Sequence, residues 1–242
     1  MPIRHLIRLA RLLARRPLLV LSPWWSCPVC RWHGPLLTFN RRVHALCPAC
    51  GALERHRLQV LVLRRVLPAD PIGLAVHVAP ENAIAPVLRR SARRYLSTDL
   101  DMPGVTVRAD LRHLPLPSAA VDVLYASHVL EHIPDDLAAI EEIHRVLAPE
   151  GMAILPVPIS GDVTVEYPAP RPEEHGHMRS PGMDYLARFT NAGFSVEMFR
   201  SNDFDWRRFQ LKVFEPGGKP SREDLVPVCR KPAPSQITEA TR

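Results

Sequence analysis

The motif Cys-Pro-x-Cys occurs twice, as CPVC at 27–30 and as CPACG at 47–51, with sixteen residues between Cys30 and Cys47. Two matched knuckles at this separation bring four thiolates within reach of one tetrahedral ion, and Zn²⁺ suits an all-sulfur set. Pro28, Pro48 and Gly51 favour tight turns that aim backbone N–H groups at sulfur. The pattern predicts a closed, structural zinc site on Cys27, Cys30, Cys47 and Cys50, with no position left for water or substrate. Two disulfides or a redox pair is the competing use of these thiols, and it does not explain why the knuckles match. Cys229 lies apart, in the strand-like LVPVCRKP, and is expected to act as a small buried hydrophobe. Zinc-bound rather than disulfide-bonded cysteines, with no convincing export signal, set an expectation of a cytoplasmic protein.

Charge separates the chain into two modules. Residues 1–66 carry 12 Lys and Arg against Glu54 alone, a balance of +11, while residues 67–242 carry 19 against 24, a balance of −5. The basic part suits phosphate, an anionic membrane surface or the acidic body of its own chain. Within it, residues 1–22 place Ile3, Leu6, Ile7, Ala10 and Leu13 between Arg4, Arg8, Arg11 and Arg15, the period of a basic amphipathic helix. That helix is expected to dock on its own domain, with peripheral contact to lipid or a partner as the alternative. The uncharged run from Arg16 to Arg31 holds three prolines and is too short and broken to span a membrane. Residues 23–52 form the expected zinc ribbon, with Trp24, Trp25 and Trp32 as its miniature core. Residues 53–70 read as a bridging helix, with His56 and Arg57 at the surface or between domains. Residues 233–242 read as a flexible tail.

Residues 71–232 alternate short apolar runs with helical stretches. GLAVHVAP, RYLSTDL, VTVRADL, AVDVLYASHVL and GMAILPVPI read as strands; ENAIAPVLRRSA and PDDLAAIEEIHRVLAP read as helices. The alternation predicts an α/β fold with a doubly wound, mostly parallel sheet. Ligands of such sheets sit at the carboxyl ends of the strands, so the residues after each strand are the candidates. They are Ala79, Pro80 and Glu81, then Asp99, then Asp110 and Leu111, then Ser127 and His128, with Glu131 and His132 one turn on. An acid at the end of the second strand can accept both ribose hydroxyl protons, and one at the end of the third can accept from an adenine amino group. Taken singly, each acid also reads as a turn or helix cap.

The stretch RADLRHLPLPSAAVDVLYASHVLEHIPDDLAAIEEIHRVLAPEGMAILPVPI, 108–159, resembles the class I S-adenosylmethionine-dependent methyltransferases of the small-molecule type. The acid, the LP segment, the Asp before the fourth strand, the LEH turn and the RVL-x-P-x-G helix end recur in that family in this order. The resemblance extends from about residue 73 to 232, where FTNAGFSVEMFR matches the step into the sixth strand and LVPVCRKP the last strand. Together with CPVC…CPACG…LERHR it points to a subgroup with a zinc ribbon ahead of a seven-stranded Rossmann-like methyltransferase sheet. It implies a cofactor site on Ala79, Glu81, Asp99, Asp110, Leu111, Ser127 and His128. Family members usually place Gly-x-Gly after the first strand, whereas here Ala79-Pro80-Glu81 occupies that turn, and His77 stands where an acid is common.

Methyl transfer to an oxygen, nitrogen or carbon acceptor needs alignment and, for an alcohol or amine, a proton acceptor. His128, His132 and His175 are the candidate catalytic bases. The loop RPEEHGHMRSPGMDY, 171–185, is expected to overhang the substrate side and to contribute His177 and Arg179 as substrate contacts. The function read from the sequence is methylation of a small molecule. Base methylation of ribosomal or transfer RNA, with the basic ribbon binding RNA, is the second reading, and a catalytically degenerate scaffold is the third.

Overall fold

The computed structural model describes residues 23–216 and 220–233, and of 220–223 the backbone alone. The helix expected over 1–22 and nearly all of the tail expected over 233–242 lie outside the described residues. In chain order the elements are β1 (Trp25–Ser26), β2 (His33–Gly34), β3 (Leu37–Phe39), β4 (Arg42–Leu46) and α1 (Glu54–Val66). Then come β5 (Ile72–Val78), α2 (Ala85–Ser91), β6 (Ala92–Asp99), β7 (Val107–Arg108), β8 (Val121–Ala126), α3 (Asp136–Val146) and β9 (Leu147–Ile154). They are followed by β10 (Val165–Arg171), β11 (His177–Ser180), α4 (Leu186–Asn191), β12 (Ser195–Phe199), α5 (Trp206–Phe209), β13 (Lys212–Phe214), β14 (Pro220–Glu223) and β15 (Val226–Arg230).

These elements form two compact units, and the division is not linear. One unit takes the described residues up to Val66 together with Arg200–Asp224; the other takes Leu67–Phe199 and the described residues from Leu225 onward. The continuous 71–232 domain expected from the sequence is therefore interrupted by residues 200–224. In the first unit β14, β13, β4 and β3 make an antiparallel sheet, with Phe214 opposite Val43. Ala45, Leu46 and Leu53 cluster in its interior with Leu37 and Phe39 packed against them, and Leu58, Val62, Leu63, Leu211 and Val213 are buried as well. Trp25 is buried, but Trp24 is 57% exposed and does not serve as core.

Arg57 adds polar links to this apolar burial. Its guanidinium is fully buried and donates to the carbonyls of Ala45, Ala52, Phe209 and Gln210 at 2.5–3.2 Å. The charge of buried Glu54 lies nearby, itself 3.4 Å from Arg42. The surface or interdomain role expected of Arg57 is corrected: it ties the segment after residue 200 to the second knuckle and α1.

The second unit is built on a seven-stranded sheet of order β12-β15-β9-β8-β5-β6-β7. Strands β7, β6, β5, β8 and β9 run parallel, and β15 is antiparallel to both its neighbours. Strand β8 is buried nearly throughout, as a strand covered on both faces must be, and so reads as an apolar run. Helix α3 buries Ala139, Ile140, Ile143 and Val146 on one face and is capped by Asp135, whose side chain accepts from the Ala138 amide at 3.1 Å. Cys229 is fully buried in this core, as expected. The strand read over VTVRADL shrinks to two residues because Asp110 turns the chain, its carbonyl accepting from the His113 amide. The helix read over ENAIAPVLRRSA begins only at Ala85, after a turn in which the Glu81 carbonyl accepts from the Ile84 and Ala85 amides.

Candidate functional site

The sheet order reverses at β5, whose neighbours are β6 on one side and β8 on the other, and a crevice at the carboxyl ends follows from that topology. A cavity of about 340 Å³ opens there. Val78 and Ala79 at the end of β5, Asp99 and Leu100 after β6, Ala109 to Arg112 after β7, and His128 to Val129 and His132 to Pro134 after β8 line it.

Two left-handed residues shape its wall. Ala79 has φ +46° and His128 has φ +54°. A side chain in that conformation costs about 1–2 kcal/mol, so each needs backbone support. The Ala79 amide donates to the Thr98 carbonyl at 2.9 Å, and the His128 amide to the Pro156 carbonyl at 2.8 Å. The turn without glycine thus keeps a positive φ at its first residue, with the small side chain of alanine in place of none.

His77 locks the same turn from beneath. It is fully buried, and its Nε2 accepts from the Glu81 amide at 3.3 Å. Nδ1 therefore carries the proton and donates to the Tyr95 hydroxyl at 2.9 Å. Burial pulls its pKa down to about 4, so the ring is neutral near pH 7.

Of the expected site residues, Ala79, Asp99, Asp110, Leu111, His128 and His132 line the cavity. Asp99 Oδ1 accepts from the amides of Asp101 and Met102, both at 2.8 Å, which turns the chain and leaves Oδ2 out of that bonding. Asp110 is engaged by Arg112, whose Nη2 donates to Oδ2 at 2.6 Å and whose Nε donates to both oxygens at 3.1 Å. That guanidinium holds the Asp110 carboxyl below the usual carboxylate range.

Glu81, Ser127, His175, His177 and Arg179 do not line the cavity. Glu81 fixes the turn through its backbone, and Ser127 is buried. His175 is exposed at a left-handed position, φ +59°, ending the short helix Pro172–Glu174. Arg179 was expected to meet substrate, yet it is buried and its donors are committed. Nη1 donates to the carbonyls of Leu130 and Ile133 at 2.9 and 2.6 Å, and Nη2 to that of Pro134 at 2.8 Å. It positions the turn after β8 instead.

Sequence reasoning left Glu131 without a role. It is fully buried in the single 3₁₀ turn Leu130–His132, and its Oε1 lies 3.4 Å from His128 Nδ1. The one signal was an acid between Leu130 and His132 in an otherwise apolar turn.

In the first unit the four cysteines meet as their spacing predicts. All are free thiols; Cys27 and Cys50 sulfurs are 3.7 Å apart, Cys30 and Cys47 sulfurs 3.6 Å, and the four lie within 4.8 Å of one another. The knuckles share one backbone pattern. Arg31 and Gly51 amides return to the carbonyls of Cys27 and Cys47 at 2.9 Å, and both residues are left-handed, with φ +65° and +77°. This is the geometry of a zinc ribbon. Among the described residues no helix is long and apolar enough to cross a membrane.

Comparison with known proteins agrees with the geometry. Residues 75–155 match the family model of a methyltransferase domain. A probable S-adenosylmethionine-dependent methyltransferase of Mycolicibacterium smegmatis is 33% identical over 118 residues, 44% of this chain and 45% of that protein. An uncharacterised 37.1 kDa protein of Streptomyces fradiae is 33% identical over 108 residues, 42% of this chain and 30% of that one. The chain thus spans less than half the length of these curated relatives. Among solved structures, the [4+2]-cyclase SpnF superposes with a TM-score of 0.56 at 16% identity, covering 96% of this chain and 95% of its own. The 1,6-didemethyltoxoflavin-N1-methyltransferase of Burkholderia thailandensis, solved with S-adenosylhomocysteine, gives 0.50 at 18%, covering 71% and 76%. The α/β unit thus has the seven-stranded sheet order of a Rossmann-like methyltransferase fold, with residues 75–155 matching the methyltransferase-domain model, and it is accompanied by a four-cysteine unit of zinc-ribbon geometry.

Proposed function

We propose that the chain transfers a methyl group from S-adenosylmethionine to a small-molecule acceptor, with Zn²⁺ held structurally by Cys27, Cys30, Cys47 and Cys50. The observation that carries the reading is the convergence of Asp99 and Asp110, from adjacent strand ends, on one apolar-floored cavity. Leu100, Ala109, Leu111 and Val129 offer the surface an adenine would cover, and Asp99 Oδ2 is placed for ribose hydroxyls. When bound, the cofactor supplies an electrophilic methyl. The chain's own part is to hold and exclude water, and to accept a proton from the acceptor. His128, which lines the cavity with Nδ1 toward Glu131 at 3.4 Å, suits this, with Nε2 as the accepting atom.

Calorimetric titration of the zinc-replete chain with S-adenosylmethionine and S-adenosylhomocysteine tests the reading. Micromolar binding is expected, weakened by about 1–3 kcal/mol in Asp99→Ala through loss of charged hydrogen bonds. Absence of binding at millimolar ligand overturns it. The likeness to SpnF, a [4+2]-cyclase, keeps a chain of this fold without methyl transfer as the second reading, and the same titration followed by assay of methyl transfer separates the two. Base methylation of RNA draws on the basic excess of residues 1–66; salt-sensitive RNA binding is its signature.

A further inference from the structure

A fully buried carboxylate normally accepts hydrogen bonds or meets a charge, because leaving it bare costs several kcal/mol. Glu131 is fully buried, and neither of its oxygens receives a hydrogen bond. Around it stand imidazoles. His128 Nδ1 is 3.4 Å away, and the rings of His132 and His177 meet edge to face with centroids 4.7 Å apart. One nitrogen of each of these last two and one oxygen of Glu131 lie within 4.8 Å of one another. Glu174 Oε2 is 3.9 Å from His177 Nδ1, as an outer carboxylate to that ring.

The three groups come from two separate pieces of chain, the turn Leu130–His132 and strand β11. Arg179, two residues after His177, binds the carbonyls of Leu130, Ile133 and Pro134 and so clamps the two pieces together. The cluster is held in place by contacts that do not involve its own donor atoms.

We propose that Glu131, His132 and His177 form a second metal site, for a divalent first-row transition cation of the kind that prefers imidazole with carboxylate, such as Zn²⁺ or Co²⁺. Two imidazoles and one carboxylate leave coordination positions open, unlike the closed four-cysteine site. Donor atoms around such an ion stand roughly 3–3.5 Å apart given metal–ligand bonds of about 2.1 Å, and side-chain rotation of exposed His132 and half-buried His177 closes the remaining gap. The cation neutralises the buried carboxylate. The site does not depend on the methyl-transfer reading, since it is defined by metal uptake alone.

The test uses the full chain without a histidine tag, its cysteines loaded with zinc, titrated with Co²⁺ by calorimetry and visible absorption. The expected result is one further equivalent bound with micromolar Kd, with cobalt absorption that lacks thiolate charge-transfer bands. Glu131→Gln and His177→Ala should each weaken that equivalent roughly 100-fold or more, above what loss of an outer partner costs. Cys30→Ser should abolish the thiolate-bound equivalent and keep the new one. Uptake of no metal beyond the cysteine site, or retention of the second equivalent at unchanged affinity in either folded variant, overturns the proposal. If Glu131→Gln fails to fold, His177→Ala decides.

Discussion

The two units solve the problem of cohesion differently. The α/β unit buries a continuous core from β5, β8, β9, α3 and α4, in which Val76, Leu124, Ile140, Ala153 and Phe189 are all fully buried. The four-cysteine unit buries Leu58, Val62, Leu63, Leu211 and Val213 besides the cluster of Ala45, Leu46 and Leu53, and adds four converging thiols and a buried guanidinium that binds four carbonyls. Polar links between side chains and backbone carbonyls are thus added to apolar burial in this unit. The lesson is that one chain can carry two stabilities with different chemical dependences.

All four tryptophans, Trp24, Trp25, Trp32 and Trp206, lie in the four-cysteine unit, so their fluorescence reports that unit while far-UV circular dichroism reports mainly the other. The largest expected effect is that of Cys30→Ser or of chelation. Zinc binding by such sites is on the order of 10 kcal/mol of folding free energy, so the tryptophan transition should disappear while the α/β transition persists. Joint loss of both would show that the units are not energetically separable. Next is Arg57→Met, which strands four buried carbonyls; a loss of about 3–5 kcal/mol confined to the tryptophan signal is expected in urea unfolding.

A smaller effect belongs to the α/β unit. His77 has a native pKa of about 4, below its ordinary 6.5, so between these values the unfolded chain binds a proton that the native chain does not. Its contribution is full above about pH 6.5 and is lost as pH falls through 4, amounting to about 3 kcal/mol. Unfolding by urea at pH 7, 5.5 and 4.5, followed by circular dichroism, should show this slope, and His77→Gln should flatten it. The smallest effect is that of Ala79→Gly, which removes the left-handed penalty but frees the unfolded chain. A gain of no more than about 1 kcal/mol in the α/β transition is expected, and a loss larger than that would mean the alanine methyl packs against something essential.

Much of this was legible beforehand for reasons that the structure makes plain. The cysteine pairs were readable because metal ligands need fixed spacing. The run from β8 to β9 was readable because strands buried on both faces and an amphipathic helix have strong, different periods. Asp99 and His128 were readable from their positions just after strands. Backbone carbonyls have no signature in sequence, however, and the four partners of Arg57 are carbonyls, as are three of those of Arg179, beside the carboxylates of Glu166 and Asp136. The return of residues 200–224 to the first unit and the inward turn of Arg179 were hidden for that reason. The left-handed states of Ala79 and His128 were equally silent, since neither residue type announces a positive φ.

The interleaving of the two units also sets an order of events during synthesis. The four cysteines precede the larger sheet in the chain, yet β13, which pairs with β4, and the carbonyls of Phe209 and Gln210, which receive Arg57, come about 160 residues after Cys50. Every parallel strand of the larger sheet has been made by then. The unit that begins first is thus completed late, and until then the nascent chain presents a basic, thiol-bearing segment without its closing strand. Until β13 has been made, Cys27, Cys30, Cys47 and Cys50 have to stay reduced on a segment that lacks the strand pairing with β4.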